Sequence, residues 1–215
     1  HMFRSLFNRT PNKTLPEVAN LTLGRTFTVD VVERKLIPED ALLVAPESDL
    51  QIVAQGIVDL GEQSFLHRFY PNDDRFLLQV QGGDGHKDTR IDEIVLWYAF
   101  DVRYLSKNED WNKLKTAIRK ASFALPSGTE TTEYSRVWFD HTPEDEAPMG
   151  YIEDIHDTDG AETSNKIYQT AMLFGRGLSD GTDEMLLVNL EEPEDGERAA
   201  SFLIGRAIPQ HALLT

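Results

Sequence analysis

The stretch Ile57–Gly85, IVDLGEQSFLHRFYPNDDRFLLQVQGGDG, decides the fold, because apolar runs and turn residues alternate there more regularly than elsewhere in the chain. The apolar runs lie at 57–60, 65–70 and 76–80, and turn residues follow each of them. β-branched and aromatic residues between Gly, Pro, Asn and Asp are typical of strands joined by tight turns. The stretch therefore predicts an antiparallel meander at the centre of a β-rich core.

Further strand patterns lie on both sides of the meander. Phe27, Val29 and Val31 alternate with polar residues, as in a half-buried strand. The other strand-like runs are at 41–45, 50–58, 91–105, 134–139, 149–156, 167–174, 185–190 and 199–208. The run at 91–105 is apolar enough to suit a helix as well.

One segment has a helical period instead. In residues 106–120, SKNEDWNKLKTAIRK, the side chains of Trp111, Leu114 and Ile118 fall on one face. Acidic residues occupy its first turn, where the helix dipole favours them. We expect this face to pack against the meander. Many short strands and one clear helix predict a β-rich α+β fold of antiparallel meander sheets with that helix packed on them.

The 215 residues are enough for one domain with a sizeable core. We expect an N-terminal arm over 1–20 and a single β-rich domain over 21–215. Two lobes divided near 126–133 are the alternative. This division would fall after the predicted helix, at a Pro-Ser-Gly sequence.

Three residues are candidates for contact with a partner. Phe3 and Phe7 in the arm share one face of a short helical turn with Leu6. That turn suits contact with a partner or a membrane surface, or docking on the protein's own core. Trp111 on the predicted helix is the third interaction candidate, if its ring is exposed instead of packed.

Cysteine is absent, which excludes disulfides, thiolate nucleophiles and thiolate zinc sites. His1 resembles a cloning scar before Met2, and no signal-peptide run follows. No window approaches 18 consecutive apolar residues. These features predict a cytoplasmic protein with peripheral membrane contact at most.

The net charge of −16 is concentrated in one part of the chain. Residues 140–197 contain 17 Asp and Glu but only two basic residues. Nucleic-acid binding requires Lys and Arg to neutralise phosphates, so no nucleic-acid partner is predicted. The acidic segment suits docking on a basic partner surface, or solubility alone.

The chemical motifs in the chain are incomplete. GLSDG at 177–181 matches G-x-S-x-G, but a strand-like run follows it where a hydrolase elbow needs a helix, so a hairpin is predicted. The turn at 157–160 lacks the first and last ligands of a calcium loop. The histidines lack the spacing of a zinc helix. We therefore predict no catalytic residue, no metal site and no cofactor.

Five polar residues of the meander are the candidates for ligand binding: Asp59, Arg68, Tyr70, Asp73 and Asp74. Carboxylates, a guanidinium and a phenol beside tight turns are able to bind a polar ligand. The alternative is that Arg and Asp on adjacent strands pair across the sheet and fix its register.

Four segments carry a resemblance to a known family: FTVD at 27–30, ALLVAP at 41–46, VDLG at 58–61, and RFYPNDDRFLLQ at 68–79 followed by GG. In order and spacing they resemble the YjfK-like family of bacterial proteins of unknown function. The resemblance implies a genetic context beside phage-shock-protein-A-like membrane-coat proteins, and so a bacterial envelope-stress system. It supplies no catalytic or ligand-binding residues.

Two functional hypotheses follow from the sequence. The first is a non-enzymatic cytoplasmic adaptor that docks on a phage-shock-protein-A-like or other membrane-associated partner. The second is a small-molecule-binding protein or enzyme that uses the polar residues of the meander. The oligomeric state is left open, because an exposed strand edge is able to pair across a two-fold axis.

Overall fold

The computed structural model describes residues 14–157, 165–194 and 196–215. The predicted β-rich character is confirmed, since strands dominate the regular structure of these residues. The strands are β1 (Thr26–Val29), β2 (Leu50–Gly61), β3 (Ser64–Pro71), β4 (Phe76–Gly82), β5 (Ile91–Tyr104), β6 (Ser122–Ser127), β7 (Glu130–Arg136), β8 (Met149–His156), β9 (Asn165–Gly177), β10 (Asp183–Glu191), β11 (Ala199–Ala207) and β12 (Leu213–Leu214). The helices of the described part are α1 (Val31–Lys35), α2 (Asn108–Ala117) and a 3-10 turn, Gln210–Ala212.

The predicted meander forms the first half of a closed barrel. Strands β2, β3, β4 and β5 pair antiparallel in sequence order. The ring continues from β5 through β11, β10, β9 and β8. It closes where β8 pairs with β2 through Gln55↔His156, Gly56↔Ile155 and Ile57↔Asp154, which we call the seam. The fold is thus an eight-stranded antiparallel barrel, which is more specific than the predicted meander sheets.

The remaining strands extend the sheet away from the seam. β1 pairs with the first residues of β2 and with β12. β7 pairs with the end of β9 and also with β6. Residues 126–133, where a division into lobes is the alternative, form the turn end of the β6–β7 hairpin. Strands from both sides of this hairpin in the sequence build the barrel.

The outer face of the meander is covered by what we call the first outer core. Segments from both ends of the described chain contribute to it. Its buried members are Val18, Leu21, Phe27, Val29, Leu50, Ile52, Phe69, Phe76, Leu78, Val80, Ile94, Leu96, Ile208 and Leu213. Because Val18 is 2% exposed, the described end of the N-terminal arm packs on the barrel.

The outer face of β9, β10 and β11 is covered by a second outer core, which includes Trp111, Leu114 and Ile118 of the α2 segment. Its other buried members are Leu43, Phe123, Leu125, Tyr134, Met172, Phe174, Leu186, Val188, Leu190, Ala200, Phe202 and Ile204. The helix is confirmed, but the prediction that it packs on the 57–80 meander is wrong. The first outer core already occupies that face, so α2 packs on the remaining apolar strands.

The predicted strand at 41–45 is wrong, because these residues have no strand partner. The backbone N–H groups of Leu42 and Leu43 donate to the buried Glu184 carboxylate at 2.8 and 3.1 Å. A side chain therefore satisfies the backbone donors that a neighbouring strand would otherwise satisfy. The apolar character of the run has a different cause, since Leu43 is part of the second outer core.

Candidate functional site

The polar residues of β3 reach the barrel interior because successive side chains of a strand point to opposite faces. Phe69 points outward and joins the first outer core. Arg68 and Tyr70 point inward and contact Glu153 of β8. The lumen is therefore the place where polar groups of the meander meet those of the C-terminal strands.

Glu153 is at the centre of this polar network. Its carboxylate accepts hydrogen bonds from Arg68 Nη1 at 3.1 Å, the Tyr70 hydroxyl at 2.6 Å and Gln169 Nε2 at 2.8 Å. The side chains of Arg68 and Glu153 are 5% and 0% exposed. A buried ion pair costs desolvation free energy and persists where further hydrogen bonds satisfy the charges. The network supplies those bonds to the carboxylate.

Tyr151, Gln169 and Asn189 extend the network across β8, β9 and β10. Arg68 Nη1 donates to the Tyr151 hydroxyl at 3.1 Å. That hydroxyl lies within hydrogen-bonding distance of Gln169 Oε1 and Asn189 Oδ1, and it has one proton to donate between them. Asn189 Nδ2 donates to Gln169 Oε1 at 2.8 Å. Side chains thus connect four strands through the lumen.

Burial and neighbouring polar groups together shift the pKa values of Arg68, Tyr70 and Tyr151. Burial, followed by the Glu153 carboxylate, raises the pKa of Tyr70 well above its usual value. Burial also raises the pKa of Tyr151, although Arg68 opposes this shift. Burial alone would lower the pKa of Arg68, but the Tyr151 phenol and the Glu153 carboxylate outweigh it, and the net shift is upward. At neutral pH the two tyrosines are neutral and Arg68 is charged.

The network also crosses the seam of the barrel. Arg68 belongs to β3 and Glu153 to β8, on either side of β2. Gly56 of β2 lies between them, and a Cβ atom there would overlap the Glu153 carboxylate. The side chains therefore fasten β8 to β3 at the point where the β2–β8 ladder has only three residue pairs.

The rest of the described lumen is largely apolar. What we call the lumen core consists of Leu77, Val95, Trp97, Ala171 and Leu187. Gly205 of β11 leaves the space for the Trp97 indole, which a Cβ atom at that position would overlap. Side chains thus fill this level of the barrel, as is usual for eight strands.

The structure brings together two of the five predicted ligand-binding residues, Arg68 and Tyr70. The other three are surface carboxylates: Asp59 is exposed near the end of β2, and Asp73 and Asp74 lie in the turn between β3 and β4. Asp73 forms an ion pair within its own turn. A ligand-binding role for the five stays a prediction, but only two of them are placed to share one ligand.

Five residues of the polar network were missed by the sequence analysis: Gln79, Tyr151, Glu153, Gln169 and Asn189. The available signal was a polar residue inside an apolar strand run, such as Asn189 in LLVNL. A polar group in that position is usually buried and hydrogen-bonded. The sequence did not identify the partners, because the barrel brings them from strands far apart in the chain.

The structure describes one of the three predicted interaction residues, Trp111. Trp111 is 2% exposed in the second outer core, and the Arg198 guanidinium lies 5.4 Å from its ring. A partner would therefore contact little of the Trp111 ring. Phe3 and Phe7 lie outside the described residues.

The serine of GLSDG lies in a hairpin, as predicted. Ser179 follows β9 and precedes β10, and its hydroxyl donates to Asp40 Oδ1 at 2.7 Å. Within the described ranges, no group of three or more His, Asp or Glu side chains is arranged to hold a metal ion. None of the described helices combines the length and apolar character needed to cross a membrane.

The family model described as "Protein of unknown function (DUF2491)" matches residues 2–213. The chain belongs to this family. A relative from Escherichia coli (strain K12), named uncharacterized protein YjfK, is 26% identical over 211 residues. The alignment covers 96% of this chain and 92% of the relative. The resemblance to YjfK-like proteins is thereby confirmed. No solved structure matches this DUF2491 chain.

Proposed function

We propose that this protein is a non-enzymatic cytoplasmic adaptor that docks a basic amphipathic helix of a membrane-coat-like partner on the outer face of β8 and β9. The supporting observation is that neither outer core includes Ile152 of β8 or Tyr168 near the start of β9. Ile152 and Tyr168 are cross-strand partners there and are 55% and 59% exposed. A large apolar pair left uncovered on a sheet is typical of a surface that another protein covers.

The proposed contact surface begins at Gly150, Ile152 and Tyr168, which we call the outer strip. Tyr168 lies over Gly150, where a Cβ atom would be 2.6 Å from the phenol oxygen. The strip continues at Tyr168 into a groove of about 460 Å³ between α2 and β9. A helix laid along the strip and groove would bury its apolar side against them.

Acidic side chains stand on both sides of this groove. Pro148 and Leu190 line the groove on its two sides. Two of the acidic residues precede Pro148 in the chain, and the other two follow Leu190. None of them forms an ion pair with the described residues. They are Glu144, Glu146, Glu192 and Glu194. A basic helix would complement them, and the attraction would weaken as salt screens it.

Two basic residues on the α2 wall would orient the helix. Lys115 of α2 and Arg119 in the turn after it both line the groove. They would repel a uniformly basic partner but would pair with an acidic residue on one side of an amphipathic helix. The proposed partner therefore carries mixed charge, with basic residues in excess.

The identity of the partner comes from the family context. The resemblance to YjfK-like proteins implies genes for phage-shock-protein-A-like coats nearby, and such coats are helical with basic faces. We propose a coat protein of this kind as the partner, in a bacterial envelope-stress system. A direct binding experiment tests this assignment.

The test is binding between the full chain and the purified coat protein encoded beside its gene. We expect binding at low salt that weakens at high salt, and a loss of affinity of about tenfold or more in the double variant Ile152→Ser/Tyr168→Ala. Val53→Ser is the matched control, because Val53 is 45% exposed on β2 away from the strip. It should bind as the wild type does.

Two outcomes would contradict the proposal. Absence of binding at low salt would reject this partner class. Equal binding by the wild type and the strip variant would reject the docking surface.

A further inference from the structure

Two hydrogen-bond donors in the lumen are not used within the polar network. Arg68 donates through Nε and Nη1, but Nη2 makes no hydrogen bond to a described atom. Gln79 accepts from Arg68 through Oε1 at 3.1 Å, and its Nε2 likewise has no partner among the described residues. Arg68 and Gln79 are only 4% and 9% exposed. Neither nitrogen is among the fully buried side-chain atoms that lack a partner, so both keep some contact with solvent and are open to a bound molecule.

The tyrosines beside these donors are not fully buried. Tyr70 and Tyr151 border Arg68, and both keep part of their surface accessible. The Arg68 guanidinium lies 5.2 Å from the centre of the Tyr151 ring. The polar end of the lumen is therefore more accessible to solvent than the lumen core, where Ala171 and Leu187 are almost fully buried.

Glu191 provides an unused acceptor at the same end of the barrel. Glu191 belongs to a row of cross-strand partners on successive strands of the barrel. On one side its partner is Gln169, which in turn pairs with Tyr151. On the other side its partner is Ala199, which pairs with Tyr104, and Tyr104 is 66% exposed. Among the described residues the Glu191 carboxylate has no hydrogen bond and no ion pair. It therefore lies at the mouth of the lumen, between the enclosed network and solvent.

The charges of this region are unbalanced. Arg68 and Glu153 compensate each other, which leaves Glu191 as an additional negative charge. Burial, followed by Glu153, raises the pKa of Glu191, and Arg68 opposes this shift. A cation bound at the mouth would stabilise the charged carboxylate. The exposed ring of Tyr104, on the same row, would add a favourable contact to that cation.

We propose that the mouth of the lumen binds a small zwitterion. Its carboxylate accepts hydrogen bonds from Arg68 Nη2 and Gln79 Nε2, and its ammonium group pairs with Glu191. ω-Amino acids carry these two groups at a separation set by chain length. The outer strip lies on the opposite face of β8 and β9, so this site goes beyond the adaptor function and does not depend on it.

The test uses the full chain and the series glycine, β-alanine, γ-aminobutyrate and 5-aminovalerate in isothermal titration calorimetry. We expect saturable binding that is strongest for one chain length, which then reports the separation between the donors and Glu191. Acetate and methylammonium each carry one of the two charges and should bind more weakly than that compound.

Substitutions locate the site. Glu191→Gln should weaken binding of the preferred compound by about tenfold or more, because it removes the charge that faces the ammonium group. Glu197→Gln changes an exposed carboxylate of the connection that follows β10 and should leave binding unchanged. The proposal is overturned if no member of the series binds at about 20 mM. It is also overturned if Glu191→Gln binds the preferred compound as tightly as the wild type does.

Discussion

The polar network of the lumen and the outer cores of this barrel are stabilised by different kinds of interaction. The lumen contains an ion pair, two tyrosines and three amides, whereas the outer cores are almost entirely apolar. Burial of apolar area stabilises a fold with little demand on geometry. A buried polar network stabilises it only while every member keeps its partner. The comparison teaches that the outer cores stabilise this barrel through apolar burial, whereas the polar end of the lumen uses specific, position-dependent contacts.

The largest loss of stability is expected when one charge is removed from the lumen. Glu153→Leu leaves Arg68 buried without its counter-ion, and we expect the free energy of unfolding to fall by about 3–5 kcal/mol. Urea denaturation with a common slope for both proteins would measure the change.

The control is a variant that removes both charges, Arg68→Met/Glu153→Leu. Since replacing a buried pair by apolar residues is often neutral, it should recover at least half of the lost stability. If it is as unstable as the single variant, the network acts through its shape and hydrogen bonds and not through its charges.

The stability of the outer cores should depend on side-chain volume instead of charge. Trp111→Ala removes a buried indole, and we expect a loss in the lower half of the range of about 3–5 kcal/mol, because the adjoining groove permits partial collapse. The melting temperature would fall with it, by several degrees. Tyr168→Ala is the matched control on the exposed outer strip and should change stability by less than about 0.5 kcal/mol. A wild-type melting temperature for Trp111→Ala would show that the second outer core does not depend on this residue.

The smallest effect is expected at the mouth of the lumen, as a pH dependence. Burial and then Glu153 raise the pKa of Glu191 above its ordinary value of 4.5, so the folded state binds this proton more tightly than the unfolded state. The resulting stabilisation is fully present below pH 4.5 and is lost as the pH rises through the raised folded pKa. Glu191→Gln should remove this part of the pH profile.

The size of that change is limited by solvent. One full pKa unit corresponds to about 1.4 kcal/mol, and screening at this partly exposed carboxyl keeps the effect well below it. Urea denaturation from pH 4 to 8 would measure the profile, with Glu192→Gln as the control that keeps the wild-type slope. A profile unchanged by Glu191→Gln would mean that Glu191 is as well solvated in the folded chain as in the unfolded chain.

Local patterns were sufficient to predict the meander, the α2 helix and the β9–β10 hairpin. Each depends on residues close together in sequence, such as Trp111 and Leu114 on one helical face. Closure of the ring was not predictable in this way. In β4, Leu77 and Gln79 face the lumen while Leu78 and Val80 face the first outer core, so the strand is buried on both sides and its sequence does not alternate.

The candidate site was predictable to the same limited extent. Arg68 and Tyr70 are two positions apart, so any strand through them places both on one face. Their common partner, Glu153, is 83 or more residues away in the chain. Asp73 and Asp74 are near them in sequence but turn out of the lumen with the β3–β4 connection. Proximity in sequence therefore predicted which residues lie in one strand or turn, but it did not predict which side chains contact each other in the lumen.

The seam has a consequence for how the chain reaches this structure. Its three pairs join residues separated by about a hundred positions, and the ring cannot close until β8 has found β2. Local hairpins such as β3–β4 form early because they enclose short loops, whereas joining distant segments carries the entropy of a long one. Such dominance of non-local pairing is characteristic of slow-folding topologies. The open precursor would expose the edges of β2 and β8 together with the half-assembled charges of the lumen, so the time spent before closure is the period in which misassembly is most favoured.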